Sequence, residues 1–347
     1  MGVFSSGGVG IDLGSANVTI CLENEGIVLR EPSYVLTLRD DIDEVLAVGR
    51  DARQMLGRTP KDVTLISPVM DGSIADIDLA TLLLRSLAEK ALGKRRALEK
   101  NRLVVSMPTG ITRVEHSAIE SAVRGAGAKR AALIRSSIAA ALGAGMSIEE
   151  ARGSMVVLIG GSTTEIAVIS MNGIVAARTT RTGSLALDEA IMRYIRREKG
   201  LIIGQRTAED LKLDLGTALE IPMTEVENVP LRGRDARTRK PSAAEINALD
   251  IQRAILPALD NLLETIREAF ENTPAELAED ILTNGIHLSG GGALLTGLPE
   301  RLSALLNIPV SIGEAPQDEV ALGACIAASD DRIYQKLSAS GSIIEAV

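Results

Sequence analysis

Apolar residues along this chain fall into short runs stopped by glycine and into longer stretches with leucine or isoleucine every three or four positions. Val9-Gly10-Ile11-Asp12-Leu13 runs into Gly14-Ser15-Ala16-Asn17 and returns as Val18-Thr19-Ile20-Cys21, which reads as strand, turn and strand. Met155-Val156-Val157-Leu158-Ile159 repeats the pattern through Gly160-Gly161-Ser162-Thr163-Thr164 and returns as Glu165-Ile166-Ala167-Val168-Ile169. After the first hairpin, strands are expected over 26–30 and 45–49, and leucine spacing predicts a helix over 79–92. A buried strand over 102–107 ends at Pro108. Thr112 and Glu115 form a capping box opening a helix to about Ala126. A strand over 131–134 and a small-residue helix over 137–143 complete a half whose order restarts at Met155.

The second half predicts helices over 185–197, 207–218, 242–271 and 294–306. Ser242 and Glu245 read as a second capping box, and Pro257 predicts a kink or break in the long helix. The Gly/Arg/Pro-rich stretch 221–239 reads as loop or weak strand in a small accessory subdomain. Ile286-His287-Leu288-Ser289 is a strand feeding Gly290-Gly291-Gly292-Ala293, a turn that lets a ligand approach the backbone.

A strand–turn–strand with glycine and hydroxyl residues at its tip offers N–H groups and hydroxyls to an anion. Two such tips in equivalent halves imply a phosphate gripped between them. Aligned on the glycines, Asp12 of the first copy stands where the second has Leu158, so one of two expected metal-side carboxylates is gone.

Composition narrows the function classes. At 347 residues the chain has room for two domains. It is 46% hydrophobic without an apolar stretch long enough to span a bilayer, so these residues are core. Aromatic content of 1%, no Trp and a net charge of −9 exclude a nucleic-acid partner. Cys21 and Cys325 sit in apolar contexts and no secretory signal is read before the first strand, so a reduced, cytoplasmic protein is expected. His116 and His287 are the only histidines, too few for a Cys/His metal cluster. Met1-Gly2-Val3-Phe4-Ser5-Ser6 fits the loose N-myristoylation pattern, but reads better as a short Gly/Ser leader.

Taken in order, Asp12-Leu13-Gly14-Ser15-Ala16-Asn17, Ile159-Gly160-Gly161-Ser162-Thr163-Thr164-Glu165 and Leu288-Ser289-Gly290-Gly291-Gly292-Ala293-Leu294-Leu295 resemble the phosphate-1, phosphate-2 and adenosine motifs of the actin/chaperone/sugar-kinase superfamily. Within it, Met55-Leu56-Gly57-Arg58-Thr59-Pro60, Met107-Pro108-Thr109-Gly110-Ile111-Thr112 and Gly204-Gln205-Arg206-Thr207-Ala208-Glu209 are similar to the MreB/Mbl class of bacterial actins, from about residue 8 to 328. The resemblance implies an α/β, actin-like fold: two duplicated mixed-sheet domains, each with a small subdomain. Subdomain IA would take 1–31, 72–148 and 309–347, IB 32–71, IIA 149–184 and 256–308, and IIB 185–255. It further implies ATP or ADP with Mg²⁺. Gly14, Ser15, Ala16 and Asn17 would hold the β-phosphate and Gly160, Gly161, Ser162 and Thr163 the terminal phosphate. Glu209, Asp210, Leu211 and Lys212 would contact ribose and adenine, with Glu209 and Lys212 on one helix face. Gly290, Gly291, Gly292 and Ala293 would cradle the nucleoside, and Asp12 would order the metal's water.

Three departures bear on mechanism. Arg135-Ser136-Ser137 stands where the class has Glu-Glu-Pro, so Ser136 occupies the place of the carboxylate that positions the attacking water. Leu158 replaces the second aspartate, and Gly183-Ser184-Leu185 replaces a Gly-Gly-Asp turn. A serine orients water but cannot take its proton near neutral pH. The catalytic positions Ser136 and Leu158 therefore read as degenerate, in a weakened Mg²⁺ site with at most slow hydrolysis. Arg135 has two readings, a cation replacing metal charge or a surface arginine. The loop 92–102 keeps Leu98 as its sizeable apolar group and carries Lys94, Arg95, Arg96, Lys100 and Arg102. It reads either as a solvated basic loop or as a contact to an anionic membrane through Lys94, Arg95, Arg96 and Leu98.

The function implied is a filament of paired protofilaments that determines cell shape by organising the cell-wall synthesis machinery. The alternatives are a small-molecule kinase of the same superfamily and a non-hydrolysing scaffold paralogue. A DnaK-type chaperone fragment is disfavoured, because no substrate-binding domain is read before residue 347.

Overall fold

The computed structural model describes residues 7–39, 41, 44–93, 97–222 and 226–346. Lys94, Arg95, Arg96 and the leader 1–6 lie outside the described residues.

β1 (Gly8–Leu13), β2 (Asn17–Leu22) and β3 (Gly26–Pro32) form an antiparallel meander. A small sheet of β4 (Val35–Leu38), β5 (Val45–Val48) and β6 (Val63–Ile66) carries α1 (Gly49–Arg53). The short hairpin β7 (Val69–Met70) and β8 (Ser73–Ile74) leads to α2 (Ile77–Leu92), whose Leu79, Leu83, Leu84 and Leu87 are buried at helical spacing. Then come β9 (Arg102–Met107), α3 (Arg113–Gly125), β10 (Ala131–Arg135) and α4 (Ser136–Gly143). The Thr112/Glu115 capping box is present at the start of α3.

The second half repeats this plan. β11 (Ser154–Ile159), β12 (Thr164–Ser170) and β13 (Gly173–Thr180) form the meander, followed by α5 (Ser184–Glu198). β14 (Leu201–Ile202), α6 (Gln205–Leu215), β15 (Val229–Asp235) and β16 (Pro241–Ile246) build the accessory unit. The chain continues through α7 (Ala248–Glu271), α8 (Ala275–Asn284), β17 (Ile286–Ser289), α9 (Leu298–Leu306) and β18 (Val310–Ile312). It closes with α10 (Glu319–Ser329), α11 (Asp331–Ala339) and β19 (Ile343–Glu345).

The sheet orders β19-β10-β9-β1-β2-β3 and β13-β12-β11-β17-β18 are the same five-strand pattern, with β19 added antiparallel to β10. A core layer shared by both halves joins them: Ile138 and Ala139 of α4 and Val320 and Ala324 of α10 pack with Val104 and Ile134 of one sheet and Val156 and Ile169 of the other. α4 and α10 approach through glycine, since a Cβ on Gly323 would sit 1.8 Å from Ala139 O and one on Gly143 1.9 Å from Glu319 O.

Some local readings are overturned. Residues 241–246 are strand β16, paired with β15, not the start of the long helix. The S-x-x-E spacing at Ser242 is a coincidence within an extended segment, and the working capping box is Asn247 with Asp250. α7 runs through Pro257 without a break. The helix expected from Leu294 begins four residues later, because Gly291–Leu294 is a 3₁₀ turn and Gly297 is left-handed. Leu98 is 3% exposed in the first half's core, so it cannot serve as an apolar tip toward lipid.

Candidate functional site

Both hairpin tips are closed by the same bond. Gly14 N–H donates to Asn17 O at 3.1 Å and Gly160 N–H to Thr163 O at 2.8 Å. The tips touch each other: Ser162 N–H and Oγ both donate to Ser15 Oγ, at 3.1 and 2.7 Å. A Cβ on Gly161 would lie 2.8 Å from the Ala16 Cβ, so only glycine lets the tips meet this closely. Beside them opens a cavity of about 510 Å³ between the halves.

The cavity brings together most of the residues singled out from sequence. Asp12, Gly14, Ser15, Ala16, Asn17, Gly160, Gly161, Thr163, Glu209, Lys212, Gly290, Gly291 and Gly292 line it, as do the altered positions Ser136, Leu158, Ser184 and Leu185. Four expected residues do not. Ser162 is turned onto Ser15. Asp210 is exposed, and Leu211 packs toward Leu187 and Ile191. A helix turn of 3.6 residues brings Glu209, Lys212, Leu213 and Gly216 of α6 and its C-cap to the cavity instead. Ala293, 1% exposed, lies beneath its turn.

Two carboxylates face the cavity from different strands, Asp12 half-buried and Glu165 buried. Asp12 accepts from Ser106 Oγ at 2.7 Å, and that hydroxyl oxygen accepts Leu13 N–H at 3.1 Å. Burial pushes the Asp12 carboxyl up to about 6 against the lowering effect of the Ser106 bond. Glu165 accepts Thr109 N–H at 2.7 Å, and Thr179 Oγ1 donates to Thr109 O at 2.9 Å, so the second half clasps a loop of the first. Burial pushes Glu165 up to about 7, with the Thr109 bonds opposing and Asp12 adding to it. Arg135 is half-buried and does not line the cavity. It acts on the site through its charge, favouring the Glu165 carboxylate.

At the nucleoside end, Glu209 and Lys212 do not pair with each other. Lys212 Nζ lies 2.7 Å from Asp188 Oδ1 and donates to Ser184 O at 3.1 Å. Burial raises the Asp188 carboxyl to about 6, offset in part by Lys212. Glu209 forms an ion pair with Arg53 of α1, joining the two small subdomains across the cleft. The N-terminus of α5 is anchored on the second hairpin, Ser184 N–H on Gly160 O at 3.0 Å and Leu185 N–H on Gly161 O at 2.8 Å.

Sequence reading missed Ser106, Asp188, Arg30 and Gln317, which also line the cavity. Ser106 had one available signal, a polar residue near the end of an otherwise apolar strand before proline.

Known proteins share this architecture. A family model described as "MreB/Mbl protein" matches residues 6–336. The cell shape-determining protein Mbl of Bacillus subtilis (strain 168) is 41% identical over 315 residues, covering 91% of this chain and 93% of that protein. The cell shape-determining protein MreB of Escherichia coli (strain K12) is 42% identical over 325 residues, covering 93% of each. The crystal structure of MreB5 of Spiroplasma citri bound to AMPPNP superimposes with a TM-score of 0.87 at 31% identity, covering 96% of this chain and 98% of that one. With its duplicated sheets and an actin-like fold, the chain belongs to the MreB/Mbl family.

Proposed function

We propose that this chain is a nucleotide-binding, filament-forming cytoskeletal protein of the cytoplasm, one that helps determine cell shape by organising wall synthesis and that hydrolyses ATP slowly. The observation that carries the reading is convergence: turns at 14–17, 160–163 and 290–292, far apart in sequence, meet around one cavity. Relatives named for cell shape and a nucleotide-bound MreB5 support it, and family membership favours a filament over a small-molecule kinase.

In this reading the first tip holds the β-phosphate and the second the terminal phosphate, while Glu209, Lys212 and Gly290 to Gly292 hold the nucleoside. Leu213 and Leu294, 70% and 53% exposed, give the base apolar edges. The donor set suits a magnesium ion held by phosphate and water. Asp12 is a half-buried carboxylate at the first tip, and among the described residues no three His, Cys, Asp or Glu side chains converge to ligate a metal directly. When bound, the ion would supply positive charge to the phosphates, and Asp12 would order its water.

Phosphoryl transfer depends on positioning and charge neutralisation. Ser136 can orient a water without accepting its proton, and Leu158 and Leu185 place apolar groups against the phosphate end. Glu165 is the cavity carboxylate whose shifted value suits proton transfer near neutral pH, but its side chain is tied to Thr109.

Binding of a fluorescent ATP analogue, with electron microscopy of the same samples, tests the proposal. Nucleotide binding and straight paired protofilaments at micromolar protein are expected. A monomer by light scattering across salt and nucleotide conditions overturns the filament. Among the described residues no helix is long and apolar enough to cross a membrane. With Leu98 buried, membrane contact would rest on the charges of Lys94, Arg95 and Arg96. Binding to anionic vesicles should fade as salt rises and vanish when all three are neutralised.

A further inference from the structure

The chain's two cysteines lie near opposite ends of the sequence, Cys21 on β2 and Cys325 on α10, and folding brings them together. With Ala321 they form a small cluster of their own, Cys21 3% and Cys325 5% exposed. The backbone shows how near they are. Gly10 is the register partner of Cys21. α10 packs so closely on Gly10 that a Cβ there would sit 2.2 Å from Cys325 N and 2.7 Å from its Cα. The sulfurs also reach one hydrogen-bonded peptide. Glu23 N–H donates to Gly8 O at 3.1 Å. Cys325 Sγ lies 3.8 Å from Gly8 O, and Cys21 Sγ lies 3.9 Å from Leu22 O, the carbonyl of that same Leu22–Glu23 peptide. The β2–β3 ladder shifts register at Ile20/Cys21, a bulge that loosens the strand beside the thiol.

We propose that Cys21 and Cys325 are a modification site, a buried dithiol that closes to an intramolecular disulfide when a hydroperoxide oxidises it. One thiolate attacks a peroxide oxygen and breaks the O–O bond, giving a sulfenic acid and an alcohol or water. The second sulfur then displaces that hydroxyl as water and forms the S–S bond. The sulfurs together give up two electrons and two protons, and the peroxide takes up both. The nearness of the two thiols holds Cys325 below the ordinary thiol range and, with burial, pushes Cys21 upward. The bond would pin β2 to α10, whose Asn17, Thr19 and Val320 line the cavity.

Treating the native chain with a small excess of hydrogen peroxide, followed by intact mass and peptide mapping without reductant, tests this. The expected product has lost the mass of two hydrogen atoms and both thiols together. It contains one peptide cross-linked between 21 and 325, and dithiothreitol reverses it. The thermal midpoint should rise by about 5 °C. Cys21→Ser should abolish the two-hydrogen loss, and the wild-type mass stands alone if that variant fails to fold. Oxygen added to the sulfurs without a cross-link, disulfides between chains, or thiols unreactive until the chain unfolds would each overturn the proposal.

Discussion

Asp12 on the first hairpin, half-buried, and Glu165 on the second, buried, face one cavity, yet they stand on opposite strands of their hairpins. Asp12 is on β1, with Thr19 as its register partner. Leu158 holds the equivalent place on β11, and its register partner is Glu165. The neighbouring parallel strand offers a serine in both halves, Ser106 bonded to Asp12 and Ser289 in register with Leu158. The second half therefore has a carboxylate on the returning strand and none on the outgoing one. There it is tied to Thr109 of the other half. A duplicated scaffold thus holds two acids in different settings: Asp12 is bonded to a serine of its own half, and Glu165 ties the two halves together.

Putting acids back at the altered positions tests this division most severely. Leu158→Asp with Ser136→Glu should raise single-turnover ATP hydrolysis by roughly 10²-fold or more, and either change alone should do little. If the unmodified chain already matches the double variant by phosphate release, the two hairpins are equally competent. Next in size is Glu165→Gln. If Glu165 carries the residual proton transfer, turnover should fall about tenfold, and the wild-type rise in rate through pH of about 7 should disappear.

The same substitution has a third, smaller effect on stability. The folded chain keeps a proton on Glu165 between its ordinary value of 4.5 and about 7, where the unfolded chain has released it. Its contribution to stability therefore falls as pH rises through that window and is level above it. Gln still accepts from Thr109, so Glu165→Gln should gain on the order of 2 kcal/mol at pH 8 and almost nothing at pH 4, read from urea melts of nucleotide-free protein. The smallest effect is at the tips. Ser162→Ala removes one 2.7 Å contact to Ser15. Nucleotide affinity should then rise about two- to threefold, because phosphate no longer displaces that bond. A fall in a fluorescence titration would instead make Ser162 a phosphate ligand.

What could be read from sequence was what the chain decides locally. Gly14 and Gly160 mark turns within a few residues of themselves, and Thr112 with Glu115 caps the helix that follows. Ser242 with Glu245 has the same spacing and fails, because residues 241–246 run extended and pair with β15. Nothing near Ser242 announces that pairing. Asp12 meets Ser106 across 94 positions, and Arg53 meets Glu209 across 156. Those contacts follow from strand order and the placement of the two small subdomains, so the turns of the site were legible and its charge network was not.

The strand β19 bears on how copies of this chain can meet. A bare sheet edge is a template for any other extended chain. β19 occupies the β10 edge, and Ser340 and Ser342 fasten its approach by donating to Asn172 O in the other half, at 2.8 and 2.7 Å. The equivalent edge of the second sheet ends in β18, only three residues long. On this flank neither sheet offers a long ladder for a neighbour to extend. A polymer grown past it must use side-chain contacts, which separate again, and not the continuous backbone zipper of an amyloid, which does not.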